Sequence, residues 1–188
     1  SLCYKKLNMS KKNSNVILKN NFKNYDELSF IYSSFKKKLN SSKKRIFLIA
    51  VSGGPDSLAL AALAKSYSYE NKCKIYYVLV DHNLRKNSSN EALLVKKLLK
   101  KYHITLNILK NTKIIKNNIQ KEAREIRYNL LIRFCKKRKI KSILTAHNLE
   151  DQVETFFIRL SRGSGLDGLS SMKQINKISN NINLVRPL

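Results

Sequence analysis

Two glycines, a proline and an aspartate set between serines, "SGGPDS" at residues 52–57, interrupt an otherwise apolar stretch of the chain. A glycine turn that feeds a helix leaves backbone N–H groups without intrahelical partners. It also places the positive end of the helix dipole at the same point, and together these attract phosphate. Gly53 and Gly54 let a ligand approach the backbone with no Cβ in the way. Pro55 suits the first helical turn, and the hydroxyls of Ser52 and Ser57 can donate to phosphate oxygens. The loop is not a Walker A sequence, because the Gly-Lys-Ser/Thr run is missing, and it is not a dinucleotide fingerprint. Asp56 has two readings. Its carboxylate repels phosphate unless a cation stands between them, which makes it a ligand for Mg²⁺ bridging to a polyphosphate. As an acid that merely caps the helix it would stabilise by about 1 kcal/mol.

Three further clusters could take part. "VDHNLR", residues 80–85, places Asp81, His82 and Arg85 at the exit of an apolar run, either as nucleotide contacts or as an ordinary polar strand exit. "KEAREIRYNLL" sets Arg124 and Arg127 three apart, on one side of a helix. A guanidinium fork suits phosphate or an adenylated intermediate. The competing reading, a solvated face paired with Glu122 and Glu125, is the expectation for Arg127. In "TAHNLEDQVETFFIRLSRGSGLDGLSSM", residues 145–172, Val153, Phe156, Phe157 and Leu160 form a buried helical face with Asp151 and Glu154 one turn apart beside it. The helix dipole explains acids at 150 and 151 better than one at 154.

The elements that must position these residues alternate. Residues 45–51, 74–80, 104–109 and 141–146 are short apolar runs that read as strands buried on both faces. Between them lie helical patterns, and a helix over 25–39 leads in. The long pattern near 117–139 is expected to bury Ile119, Ala123, Ile126, Leu130 and Phe134. Such alternation predicts an α/β fold, a parallel sheet with helices on both faces joined by right-handed crossovers. Ligands then bind beyond the carboxyl ends of the strands, so the loops after residues 51, 80 and 146 carry the chemistry.

Residues 1–24 are polar, Lys- and Asn-rich and aperiodic, and are expected to be a disordered basic arm. Residues 25–188 form one domain, since 188 residues suffice for a single well-buried core. "MSKKNSN" at Met9 resembles a start, and "INLVRPL" stops within a strand-like run, as expected of a domain truncated at its C-terminus. Thirty-eight Lys and Arg against 12 acids give a net charge of +26, which points to a polyanionic partner, nucleic acid first. A compositional drift toward Lys, Asn and Ile is the other source of that excess. Cys3, Cys73 and Cys135 form no CxxC pair, which argues against a disulfide framework or a zinc site and for a reducing cytoplasm. No apolar run approaches the ~20 residues of a membrane span.

The "SGGPDS" loop after the first strand resembles the PP-loop of ATP pyrophosphatases, which implies a Rossmann-like fold, cleavage of ATP to AMP and pyrophosphate, and Mg²⁺ at Asp56. With "VDHNLR", "AREIRY" and "HNLEDQVET…RGSGLDGLSSM", the match over residues 45–188 resembles the tRNA(Ile)-lysidine synthetase family. That resemblance implies ligation of free L-lysine to C2 of the wobble cytidine of tRNA(Ile). It also implies that Asp151 and Glu154 hold the lysine ammonium, that Arg124 sits near the activated cytidine, and that His147 shapes the pocket. Residues 52–57, Asp81 and His82 would hold ATP. Asn148 and Glu150 stand where the family often has its second His and first acid, so neither is assigned a role. A PP-loop tRNA thiolase and a basic RNA-binding module with a vestigial pocket are the alternatives. Oligomeric state is left open, a homodimer included.

Overall fold

The computed structural model describes residues 26–41, 45–113, 118–146, 175–179 and 181–187. In chain order the elements are α1 (Asp26–Asn40), β1 (Ile46–Val51), α2 (Pro55–Glu70), β2 (Lys74–Asp81) and α3 (Ser88–Lys100). These are followed by β3 (Leu106–Lys110), α4 (Ile119–Lys137), β4 (Ser142–Leu144), β5 (Ile175–Ser179) and β6 (Ile182–Val185). The strands form one six-stranded sheet in the order β3-β2-β1-β4-β6-β5. The basic arm expected at residues 1–24 lies outside the described residues, as do Cys3 and Met9.

Each apolar run became a strand because branched and aromatic side chains pack on both surfaces of a pleated sheet. Along β1 they alternate: Phe47, Ile49 and Val51 join the cluster under α1, α2 and α3, whereas Leu48 and Ala50 join the cluster under α4. Helices therefore cover both faces, as expected. On the first face Leu60, Ala61, Leu63 and Ala64 of α2 are buried, and Phe47 meets Tyr67 edge to face at 6.4 Å. The other face is closed by Leu131 and Cys135 of α4 over Val78 and Ile143.

The structure bears out the parallel sheet across β3-β2-β1-β4-β6, corrects two other expectations, and adds an edge strand, β5, that pairs antiparallel with β6. Only residues 180–181 separate these two strands, too short a link for the crossover that parallel pairing requires. The third strand starts later than 104, at Leu106, because the Ile104 N–H closes the end of α3 on Leu99 O at 3.0 Å. Finally, α4 buries Leu131 and Cys135, with Tyr128, Ile132 and Phe134 packed alongside, while Ile119 is 54% exposed. Of the expected stripe, Phe134 keeps its contact. Counting back by fours from Cys135 through Leu131 reaches Arg127, which thereby lies on the sheet-facing side of the helix.

Phe47 fills the centre of the larger cluster and is 1% exposed. Phe47→Ala should cost about 3–5 kcal/mol in urea unfolding; a loss under about 1 kcal/mol would contradict this packing.

Candidate functional site

The end of β1 and the start of α2 build a cradle around one hydroxyl. Ser57 Oγ donates to Gly54 O at 2.9 Å and accepts from Ser52 N–H, Gly53 N–H and Ser52 Oγ, each at 3.1 Å. A hydroxyl has two lone pairs, so three donors compete for two places and one is always available to a ligand. Ser57 is 5% exposed and holds the loop from below. Gly54 caps α2 with no side-chain cap bond and Pro55 opens the helix, so the N–H groups of Asp56 and Ser57 have no intrahelical acceptor. Leu58 N–H is the first to find one, Gly54 O at 3.1 Å.

The two glycines differ in what constrains them. Gly53 has φ +94°, and a Cβ there would stand 3.0 Å from Val95 Cγ2. Gly54 is extended, and its Cβ would meet only Ser52 Oγ at 3.7 Å. Packing demands glycine at 53, whereas at 54 its absent side chain keeps the crevice open. Asp56 is exposed beside the free N–H groups, and its carboxylate makes no hydrogen bond or ion pair with a described residue. A capping role thus has no bond to support it. One carboxylate next to a phosphate cradle fits Mg²⁺, which commonly takes one or two carboxylates plus phosphate oxygens and water. Among the described residues no group of three or more His, Cys, Asp or Glu could hold a metal by itself.

The cradle opens into a crevice of about 350 Å³ at the carboxyl ends of β1, β2 and β4. Ser52, Gly54, Pro55, Asp56, Ser57 and His82 line it, and so does Arg127. Arg127 Nε–H donates to His82 Nε2 at 3.4 Å. That bond puts the imidazole proton on Nδ1, which is buried with no hydrogen-bond partner among the described residues. Burial first, and then the Arg127 charge, hold the His82 pKa below its ordinary value against the opposing pull of Asp81. Burial also works against the Arg127 cation; Tyr128 offsets this in part, while Arg124 adds to it. No ion pair joins Arg127 to Glu122 or Glu125. The solvated, salt-bridged face expected for Arg127 is therefore wrong: the guanidinium is half-buried in the crevice, without a carboxylate, where an anion would complete it.

Other sequence candidates fall elsewhere. Asp81 is 3% exposed and turned away from the crevice, accepting from Asn83 N–H at 2.9 Å and Ser89 Oγ at 2.8 Å. Burial opposes its charge, but these bonds, Ser88 and Lys110 outweigh it and the pKa is lowered. Its carboxylate secures the β2 exit to α3 and so positions His82. Asn111 anchors the same exit through His82 O at 3.2 Å. Arg124 is exposed and stacks on Tyr128, 5.3 Å from the ring centre, one residue removed from the cradle. His147, Asp151 and Glu154 lie outside the described residues. Tyr128 and Thr145 also line the crevice and were missed: both fall within quoted motifs, but the charged side chains beside them carry the stronger signal.

A mostly parallel sheet with an anion cradle where its first strand meets a helix defines a nucleotide-binding α/β protein. The chain belongs to the PP-loop domain family, whose pattern it matches over residues 28–188. It is 44% identical over 143 residues to a tRNA(Ile)-lysidine synthase of Orientia tsutsugamushi, covering 74% of this chain and 32% of that protein. With the Wolbachia pipientis wMel tRNA(Ile)-lysidine synthase it shares 45% identity over 145 residues, 74% of this chain and 33% of the relative. The Rickettsia africae enzyme of the same name is 38% identical over 165 residues, 84% of this chain and 34% of the relative. The chain thus spans about a third of the length of the curated relatives it matches. Among solved structures, a U34-tRNA thiolase from Methanococcus maripaludis shares the fold with a TM-score of 0.65 at 18% identity, over 85% of this chain and 60% of that one.

Gly53→Ala should cost about 1–3 kcal/mol in urea unfolding. Gly54→Ala should cost under about 1 kcal/mol yet weaken ATP binding measured by calorimetry; equal effects on both readouts would remove the distinction between the glycines. His82 supplies a pH signature. Its folded pKa is lowered, so the unfolded chain takes up the proton first. The stabilisation is complete above about pH 7 and declines as pH falls through the ordinary value of about 6.5 toward the folded one. Urea midpoints at pH 7.5 and 5.5 should therefore differ less in His82→Gln than in the parent; equal differences would contradict a neutral, half-buried His82.

Proposed function

We propose that the chain is the ATP-using catalytic domain of an enzyme that joins lysine to C2 of the wobble cytidine of tRNA(Ile). The C2 oxygen of the cytidine attacks the α-phosphorus of ATP and pyrophosphate leaves. The ε-amine of lysine then adds at C2, the C–O bond to AMP breaks, and the amine proton is lost to solvent. The observation that carries this reading is the crevice itself, where free loop N–H groups, an unpaired carboxylate and a half-buried arginine converge in a chain 38–45% identical to proteins named tRNA(Ile)-lysidine synthase.

Each residue has a task within that scheme. The N–H groups of Ser52, Gly53, Gly54, Asp56 and Ser57 hold the polyphosphate and meet the charge that grows on the leaving pyrophosphate. Donors fixed before the reaction need no reorganisation during it, and this is where most catalytic stabilisation originates. Asp56 would hold Mg²⁺, which when bound neutralises polyphosphate charge. Arg127, fixed by His82, faces the nucleotide from the opposite wall. Arg124, stacked on Tyr128 at the rim, receives the cytidine side. Asp151 and Glu154 take the lysine ammonium, and His147 borders that pocket. Bringing three reactants together supplies the remaining advantage.

Among the described residues the cysteines give the thiolase alternative no support. Cys135 is fully buried in α4, its thiol pushed up to about 12 by burial, and Cys73 precedes β2 at the far edge of the sheet. Asp56→Ala should lower lysine- and tRNA-dependent ATP–pyrophosphate turnover by about 100-fold or more. Near-parental turnover would refute the Asp56 role, and parental turnover that ignores lysine would refute the ligase.

A further inference from the structure

We propose that α4, together with the amino edge of the sheet to which it leads, forms a second RNA-binding surface that tracks the phosphate backbone away from the crevice. This rests on the reading that an RNA nucleotide enters the crevice. The helix has 19 residues and so runs about 28 Å. It begins at the crevice rim, with Arg124 and Arg127, and ends at the opposite edge of the sheet. Its charge is segregated: Glu122 and Glu125 occupy the first turns, and from residue 126 to residue 141 the sequence has no acid at all. Arg133, Lys136, Lys137, Lys139 and Lys141 are exposed along that path, and among the described residues none of them forms an ion pair.

At the end of the path one cation is held in place. The Arg138 guanidinium lies 4.8 Å from the centre of the Tyr76 ring and 4.9 Å from that of Phe134, and the two rings meet edge to face at 5.8 Å. Lys74 Nζ stands 5.3 Å from the same Tyr76 ring. An arginine held against two rings and drawn to the Tyr76 hydroxyl has already lost most of its rotamer freedom, while its side chain stays exposed where a phosphate can reach it. The dipole of α4 accounts for Lys136 and Lys137 in its last turn. It does not account for Lys74, which comes from a different strand, or for the clamp on Arg138. Lys139 takes a left-handed backbone, φ +55°, at a position that ordinarily falls to glycine or asparagine. None of the exposed large apolar side chains lies between residues 120 and 141, and at the amino edge Ile46, paired with Lys74, is 36% exposed; that is too little apolar surface to anchor in a bilayer, and RNA is favoured over an anionic membrane.

The test is the salt dependence of binding to an unmodified tRNA(Ile) with a CAU anticodon, measured from 50 to 200 mM KCl. The triple variant Lys74→Ala/Arg138→Ala/Lys141→Ala should reduce the slope of log affinity against log salt by about 2. Affinity at low salt should fall about tenfold or more, with ATP binding and urea midpoint unchanged. Arg138→Lys keeps the charge but loses the clamp, and should retain the slope while binding several-fold more weakly. An unchanged slope in the triple variant, in a preparation whose parent forms lysidine, overturns the surface. So does loss of binding to phosphatidylserine vesicles with tRNA binding intact. A parent that binds tRNA with a steep slope and responds to the triple variant, yet forms no lysidine, supports the surface and refutes the ligase reading.

Discussion

The site depends on one hydroxyl that is oversubscribed. Ser57 Oγ gives its proton to Gly54 O and receives more donors than it can accept, so the turn between β1 and α2 is held in shape while never being fully satisfied. A fully satisfied loop would have no need of a ligand. An unorganised one would have to be ordered at a cost of roughly 1–2 kcal/mol per residue before binding anything. The left-handed backbone at Gly53 and the proline at the first turn of α2 fix the same geometry from either side.

Around that turn, the sheet acts as a positioning device. Parallel pairing brings the ends of β1, β2 and β4 to one level, so the cradle, His82 and Thr145 face a common space. Satisfied groups stand behind it. Asp81 accepts one bond at each oxygen, from Asn83 and Ser89, and Asn111 binds both the β2 exit and Lys113. The unsatisfied groups, namely the Asp56 carboxylate, the Arg127 guanidinium and the first N–H groups of α2, are those that face the crevice. A carboxylate, a guanidinium and free helix N–H groups that face one crevice without neutralising one another mark where a charged ligand belongs.

Much of this was legible beforehand. The glycine turn, the alternation of strand and helix, and the placement of the crevice all follow from short-range patterns, because a buried strand and a helix start have strong local signatures. Arg127 was not legible. Flanked by Glu125 and a turn from Glu122, it reads as a surface cation, and only the docking of α4 through Leu131 and Cys135 turns it inward. That rotation could not be chosen from sequence, since two apolar stripes compete on the helix and the sheet ends before Ile119 can reach it. Asp81 misled in the opposite sense: a carboxylate beside a histidine at a strand exit looks available for a ligand until its hydrogen bonds are placed. The edge strand β5 escaped notice because Lys and Asn separate its isoleucines, and a short edge strand needs little apolar character.

A structure with a nonhydrolysable ATP analogue bears most directly on the central claim. The β- and γ-phosphate oxygens should lie within hydrogen-bond distance of N–H groups of the loop, those of Gly53, Gly54, Asp56 and Ser57 among them, with the Arg127 guanidinium on the nucleotide from the facing wall. A nucleotide bound elsewhere, with the Ser52 and Gly53 N–H groups still donating to Ser57 Oγ and Arg127 still engaged with His82, would contradict it.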